Sequence, residues 1–243
     1  MFADLPELSR AGLAPAGAPP QIWRAVDLVV GLVAVVLSAV LVGVVAVLLR
    51  AAGVAAIVTA MLGFQFVMGL VVFALAKWRG VGWRALGLVW PRTWAPLSQA
   101  WLGSYGILIG YALGLEALRR LGINVTAFAD RNAVPVGSDD SLWRIAALGI
   151  AVVVLAPFTE ELFFRGLLYR GRRGFWPRLP ALLVSGLCFG AFHGNLGVLI
   201  PFTLVGMLFA WSNDESGSLW TSIGAHTLVN GLTFGFTVGG LGL

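Results

Sequence analysis

The chain has 243 residues, of which 59% are hydrophobic and only 11% are charged, and its mean hydropathy is +0.91. This composition excludes an ordinary soluble domain and indicates an integral membrane protein. The net charge of +5 does not indicate nucleic-acid binding, because the Arg and Lys residues lie in short connections between apolar runs rather than on one soluble face.

The apolar runs predict an all-α, polytopic membrane bundle of about seven transmembrane helices, within a range of roughly six to eight. Residues 1–26 are interpreted as a flexible N-terminal tail, because they are rich in Ala and Pro and lack the basic start of a secretory signal. Residues 27–141 form the N-terminal helices, and residues 142–238 form a second set of helices. The predicted spans are Leu28–Leu49, Val54–Ala76, Leu97–Leu118, Leu142–Leu168, Leu179–Phe192, Leu196–Trp211 and Leu219–Val238.

The connection after the second span, residues 77–96, mixes tryptophans with Lys and Arg, which is typical of the lipid headgroup layer. The connection after the fourth span is also basic and lies on the same side of the membrane after two more crossings. The positive-inside rule therefore places both connections, and the N-terminus, in the cytoplasm.

Glycine recurs at every fourth position in three spans, which favours tight packing inside the bundle over a dimer seam. The oligomeric state stays open. The three series are Gly106, Gly110 and Gly114; Gly186, Gly190 and Gly194; and Gly231, Gly235 and Gly239.

Five ionisable residues lie deep within the predicted spans, and both histidines of the protein are among them. Such residues cost at least about 2.5 kcal/mol at the membrane centre and are therefore candidates for function. The five residues are Glu160, Glu161, Arg165, His193 and His226.

Helical spacing separates the roles of the two glutamates. Glu161 and Arg165 are four residues apart and share one face, so the guanidinium is expected to neutralise that carboxylate. Glu160 points about 100° away around the helix and is the expected general base. A hairpin about residues 174–177 places Glu160 and His193 at the same depth, each roughly 25 Å of helix from the turn.

Phe189 precedes His193 by four residues, so its ring can pack beside the imidazole. The same spacing places His226 and Asn230 on one face of the last span. A carboxylate and an imidazole that hold one water suit general-base hydrolysis, and a second imidazole with a carboxamide suits an oxyanion site. No hydroxyl lies in a G-x-S-x-G nucleophile elbow, which disfavours a serine mechanism.

Other interpretations of the same residues stay open. The acids and Arg165 can form a structural ion-pair network, and the histidines can bridge helices by hydrogen bonds. Buried Glu and His can also form the relay of a proton-coupled transporter. A non-catalytic immunity or scaffold protein is a further alternative.

The chain resembles the CAAX-processing type II and bacteriocin-processing protease family, known as CPBP or Abi. Three motifs of that family, E-E-x-x-x-R, F-x-x-x-H and H-x-x-x-N, occur here in the family's order. They are Glu160-Glu161-Leu-Phe-Phe-Arg165, Phe189-Gly-Ala-Phe-His193 and His226-Thr-Leu-Val-Asn230.

The resemblance implies an intramembrane endopeptidase that cuts a membrane protein or peptide in the lipid bilayer of a prokaryotic plasma membrane. It implies that Glu160 and His193 activate water, that His226 and Asn230 form the oxyanion site, and that Glu161 belongs to the same catalytic group. Members of the family have long been labelled metalloproteases, and Glu with two His could form a metal triad. Because H-E-x-x-H is absent, we expect no cofactor, with a zinc-dependent version as the alternative.

Overall fold

A computed structural model describes residues 22–48, 54–130, 134, 136, 140–173 and 175–240, and all regular structure within these ranges is helical. Five of the seven long helices, α1 to α4 and α6, are long and apolar enough to cross a membrane. The predicted all-α polytopic membrane bundle is therefore confirmed. The helices are α1 Ala25–Leu48, α2 Val54–Trp78, α3 Ala95–Arg120, α4 Leu142–Arg173, α5 Arg178–Phe192, α6 Leu196–Ser216 and α7 Leu219–Val238.

Local capping signals determine the boundaries of α6 and α7. The Asn195 side chain accepts a hydrogen bond from the Gly197 N–H at 2.7 Å and begins α6. Gly217, with φ of +72°, ends α6 in the left-handed conformation that favours glycine. Ser218 then begins α7 by accepting a hydrogen bond from the Trp220 N–H at 3.1 Å. The two helices are thus joined by only two residues, which places them side by side.

The described part of the predicted tail, residues 22–26, is not loose. Trp23 is fully buried, and its indole Nε1–H donates to the Gly166 carbonyl in α4 at 2.9 Å. One turn later, the buried Asp27 accepts a hydrogen bond from the Arg79 guanidinium at 2.7 Å. These contacts hold the start of α1 against α4 and the end of α2, whereas residues 1–21 lie outside the described ranges.

Glycines allow α5 and α6 to pack at close range. A Cβ added at Gly186 or Gly190 would lie 2.5–2.6 Å from backbone oxygens of α6, so neither position has room for a side chain. This confirms the prediction of tight internal packing for this helix pair. The α3 series behaves differently, because a Cβ at Gly106, Gly110 or Gly114 would meet nothing within 4 Å in the described part of the chain.

Helix α4 lies at the centre of the bundle. Every residue from Leu162 to Tyr169 is buried, and Phe163 and Phe164 of this stretch belong to one core cluster with residues of α1, α2, α5 and α7. The two adjacent glutamates, Glu160 and Glu161, immediately precede this buried stretch, so the fold carries both carboxylates into the protein interior.

Candidate active site

Helix α4 changes its winding on both sides of the two glutamates. Two π-helical segments, Ile150–Leu155 and Leu162–Tyr169, flank the α-helical turn Ala156–Glu161. π-Helical segments are rare and are frequently found at functional sites. The carboxylates are therefore carried by a short turn whose position depends on contacts with the neighbouring helices.

Pro157 accounts for a contact between α4 and α7. The Ala156 N–H donates to the Ala151 carbonyl in the π-helical pattern, and the next N–H in that pattern would belong to residue 157. Proline has no N–H, so the Val152 carbonyl lacks its backbone donor. Asn230 of α7 supplies one instead, because its Nδ2 donates to the Val152 oxygen at 2.9 Å. Asn230 thus ties α7 to the turn before the glutamates.

Glu161 is the centre of a fully buried network. Its Oε1 accepts hydrogen bonds from Arg165 Nη1 at 2.7 Å and from His226 Nδ1 at 3.0 Å. Arg165 Nη2 donates to the Gly206 carbonyl of α6 at 2.7 Å, and the side chains of Glu161 and Arg165 have no exposed surface. The ion pair is the one that the i, i+4 spacing predicts. The contact with His226, 65 residues away along the chain, extends the network to α7.

Glu160 points into different surroundings. Its Oε1 accepts a hydrogen bond from Gln65 Nε2 of α2 at 3.2 Å, and Gln65 Oε1 accepts from the Thr159 hydroxyl at 2.5 Å. Within the described chain, Glu160 Oε2 is buried and has no hydrogen-bond partner. Gln65 was not among the site residues predicted from the sequence. The sequence feature that could have indicated it is the single carboxamide side chain of the largely apolar helix α2.

His193 follows directly after α5, and its orientation defines which ring nitrogen is a base. Nδ1 lies 2.8 Å from the Phe189 carbonyl oxygen. A carbonyl can only accept, so Nδ1 carries the proton and Nε2 has the free lone pair of the neutral ring. No hydrogen bond joins His193 to Glu160 among the described residues, but the two side chains are close enough to interact electrostatically.

Phe189 packs against both histidines. Its ring centre is 5.0 Å from that of His193 and 5.6 Å from that of His226, which confirms the predicted packing of Phe189 beside His193. The Arg165 guanidinium lies 4.6 Å from the same ring centre, and Phe209 stacks on His226 at 5.0 Å. Aromatic rings therefore pack against both imidazoles and against the Arg165 guanidinium.

The structure brings the predicted catalytic residues into one region but gives them different partners. His193 interacts electrostatically with Glu160, whereas His226 is hydrogen-bonded to Glu161. His226 and Asn230 share a face of α7, yet the former contacts Glu161 and the latter contacts α4. No group of three His, Cys, Asp or Glu side chains placed to hold a metal is found within the described ranges.

Two comparisons with known proteins found similar sequences. Residues 142–232 match the family model described as type II CAAX prenyl endopeptidase Rce1-like. The chain is also 30% identical over 95 residues to the candidate membrane peptidase YdiL of Bacillus subtilis strain 168, a match that spans 37% of each chain. No solved structure matches the chain.

The matched segment contains all three motifs, from Glu160 to Asn230. Residues 142–232 are therefore similar to the type II CAAX prenyl endopeptidase family, and the chain is similar to a membrane peptidase over little more than a third of that relative's length. The comparisons support a membrane protease in general terms.

Proposed function

We propose that the protein is an intramembrane endopeptidase that hydrolyses a peptide bond of a membrane-associated protein or peptide, using a water activated by Glu160 and His193. The observation that carries the proposal is the unpartnered Oε2 of the buried Glu160, close to a histidine whose Nε2 bears a lone pair. A buried carboxylate oxygen without a partner calls for an explanation. Glu161 Oε2 shares this property among the described residues, but Arg165 is paired with Glu161, so Glu160 is the carboxylate that we propose as the base.

These two atoms provide complementary acceptors for a water molecule. Water has two hydrogens, so it can donate one to Glu160 Oε2 and the other to His193 Nε2. Its oxygen lone pair is then directed toward a substrate carbonyl, and one of the two acceptors takes the proton as the water attacks. Phe189 and the rings around His193 hold the imidazole in the orientation that this step needs.

His226 and Asn230 would stabilise the negative charge that forms on the attacked carbonyl oxygen. With Nδ1–H directed at Glu161, a protonated His226 would present Nε2–H to the oxyanion. Asn230 donates one N–H to the Val152 carbonyl, and its second amide hydrogen can be donated to the oxyanion.

The donor set does not match a catalytic zinc site, which uses three protein ligands and an open position. His226 Nδ1 is bonded to Glu161 and His193 Nδ1 to the Phe189 carbonyl, and the described residues form no group of three His, Cys, Asp or Glu side chains placed to hold a metal. We therefore propose that the reaction needs no cofactor. The distribution of basic connections supports a cytoplasmic N-terminus, and the similarity to a Bacillus subtilis protein supports a prokaryotic plasma membrane.

Glu160→Gln tests the proposal most directly. The amide keeps the shape of the side chain but cannot accept the proton, so the purified protein in detergent should lose about 10²- to 10⁴-fold in kcat. The assay uses an internally quenched peptide library, and mass spectrometry identifies the cleaved bonds. Glu116→Gln is the control, because this exposed residue of α3 undergoes the same chemical change away from the site. Undiminished cleavage by Glu160→Gln would refute the role of this residue.

Two further measurements separate the alternatives. Exhaustive chelation should leave cleavage unchanged, whereas loss of activity that zinc restores would establish the metal-dependent version. Proteoliposomes should show no proton flux that depends on Glu160, whereas such a flux without peptide cleavage would establish a transporter.

A further inference from the structure

We propose that Gln65 of α2 is a positioning residue for the general base: its amide holds one oxygen of Glu160 and leaves the other directed at the water. The inference rests on the proposed function, since it assigns a role in that same reaction. It assigns a task to the N-terminal half of the chain, which lies outside the segment that matches the protease family.

Gln65 is a buried polar side chain in a largely apolar helix and therefore needs a polar partner. Among the described side chains of α2 it is the only polar residue that is buried, with 9% of its surface exposed. A buried carboxamide in an apolar helix is costly unless its donor and acceptor are satisfied. Both are satisfied by α4, where Thr159 and Glu160 are adjacent in sequence.

The Glu160 carboxylate determines which end of the amide faces it, because a carboxylate can only accept. Gln65 Nε2 therefore faces Glu160 Oε1 at 3.2 Å, and Gln65 Oε1 faces the Thr159 hydroxyl at 2.5 Å, which also lies 2.9 Å from the Leu155 carbonyl. An N–H donor directed at one carboxylate oxygen fixes the rotation of the whole group. The second oxygen, Oε2, then keeps a defined direction and has no hydrogen-bond partner within the part of the chain that the structure describes.

The backbone of α2 is shaped for this contact. Gly69 lies one turn after Gln65, and a Cβ added there would lie 3.2 Å from Thr159 Cγ2. That contact would be tight, so a side chain at position 69 would require Thr159 to shift by a few tenths of an ångström. The glycine thus permits the close approach at which the Gln65 amide reaches both residues of α4.

A positioning role and a role in stability alone predict different results. If Gln65 only joins two helices, its loss should lower stability without a specific effect on kcat. If it orients Glu160, its loss should lower kcat while KM stays close to the wild-type value. Thr159 acts on Glu160 only through Gln65 in this scheme, so its contribution to kcat should disappear when Gln65 is absent.

The test is a double-mutant cycle with Gln65→Leu and Thr159→Val, using the peptides that the wild-type protein cleaves in a Glu160-dependent manner. Gln65→Leu should reduce kcat by about 10- to 100-fold, the value of one hydrogen bond to a charged group. Thr159→Val should reduce kcat less, and should add nothing in the Gln65→Leu background. Thr159→Ser keeps the hydroxyl and should retain activity. Gln99→Leu makes the same chemical change at an exposed position of α3 and should behave like the wild type.

The inference would be overturned if Gln65→Leu kept the wild-type kcat. It would also be overturned if the fold-loss of kcat in the double variant equalled the product of the fold-losses in the two single variants. If Gln65→Leu does not fold, Thr159→Val decides the matter, because unchanged kcat in that variant excludes the scheme. Failure of the proposed function can be told apart from failure of the positioning role. If Glu160→Gln retains activity, the proposed function is refuted. If Glu160→Gln is inactive while Gln65→Leu and Thr159→Val keep the wild-type kcat, only the positioning role is refuted.

Discussion

Arg165→Met should destabilise the protein strongly, because it leaves a buried carboxylate without its cation. The Arg165 guanidinium donates to Glu161 Oε1 and to the Gly206 carbonyl, both at 2.7 Å, and its side chain has no exposed surface. Methionine fills much of the same volume but can donate neither hydrogen bond. The substitution therefore removes the bonds while creating only a small cavity.

The expected cost follows from the burial of the pair. Removing one partner of a buried ion pair costs about 3–5 kcal/mol, because the remaining charge is desolvated and uncompensated. His226 also contacts Glu161 and can supply part of the lost charge, which places the estimate at about 3 kcal/mol within that range. Replacing both Glu161 and Arg165 by apolar residues should recover most of this loss, because neither charge is then buried alone.

The assay is reversible unfolding in mixed detergent and SDS micelles, followed by tryptophan fluorescence. Arg120→Met is the matched control, because Arg120 and Glu116 form a pair with the same i, i+4 spacing at the exposed end of α3. That substitution should cost less than about 1 kcal/mol. If Arg165→Met were no more destabilising than Arg120→Met, the assignment of Glu161 as a buried charge held by Arg165 would be wrong.

Two further predictions concern side chains that bind carbonyls in the π-helical segments of α4. Asn230→Leu leaves the Val152 carbonyl without a donor and should cost about 1–3 kcal/mol in unfolding free energy, with a lower kcat; a role in the oxyanion site alone would lower kcat and leave unfolding unchanged. Trp23→Phe removes the indole donor to the Gly166 carbonyl and should cost about 1–3 kcal/mol by the same measurement. Trp90→Phe, at a position 79% exposed, is its control, and equal costs for the two substitutions would contradict the buried contact.

The start of each helix could be predicted within a few residues. The predicted Leu219–Val238 coincides with α7, and the predicted Leu142–Leu168 begins where α4 begins. Composition is sufficient here because a helix in a membrane satisfies its own backbone hydrogen bonds, and the apolar length needed to cross is set by the bilayer. The prediction missed the extension of α4 to Arg173 because the criterion was apolarity, while a helix can continue through charged residues at the membrane surface.

The candidate site could be predicted in its residue types but not in its partners. Ionisable residues in apolar helices are conspicuous in any sequence, and the i, i+4 spacing was enough to pair Glu161 with Arg165, since both belong to one helix. The same spacing could not show that His226 contacts Glu161 or that Asn230 contacts Val152, because those partners lie on another helix.

The sequence by itself therefore determined the membrane class, the helices and the polar residues that they carry, since these depend on local composition and helical geometry. Only the tertiary structure decided that Gln65 meets Glu160 across 95 residues and that Trp23 meets Gly166 across 143. Such pairs depend on how the helices rotate and pack against one another. That choice is made by shape complementarity over the whole bundle, and no local pattern records it.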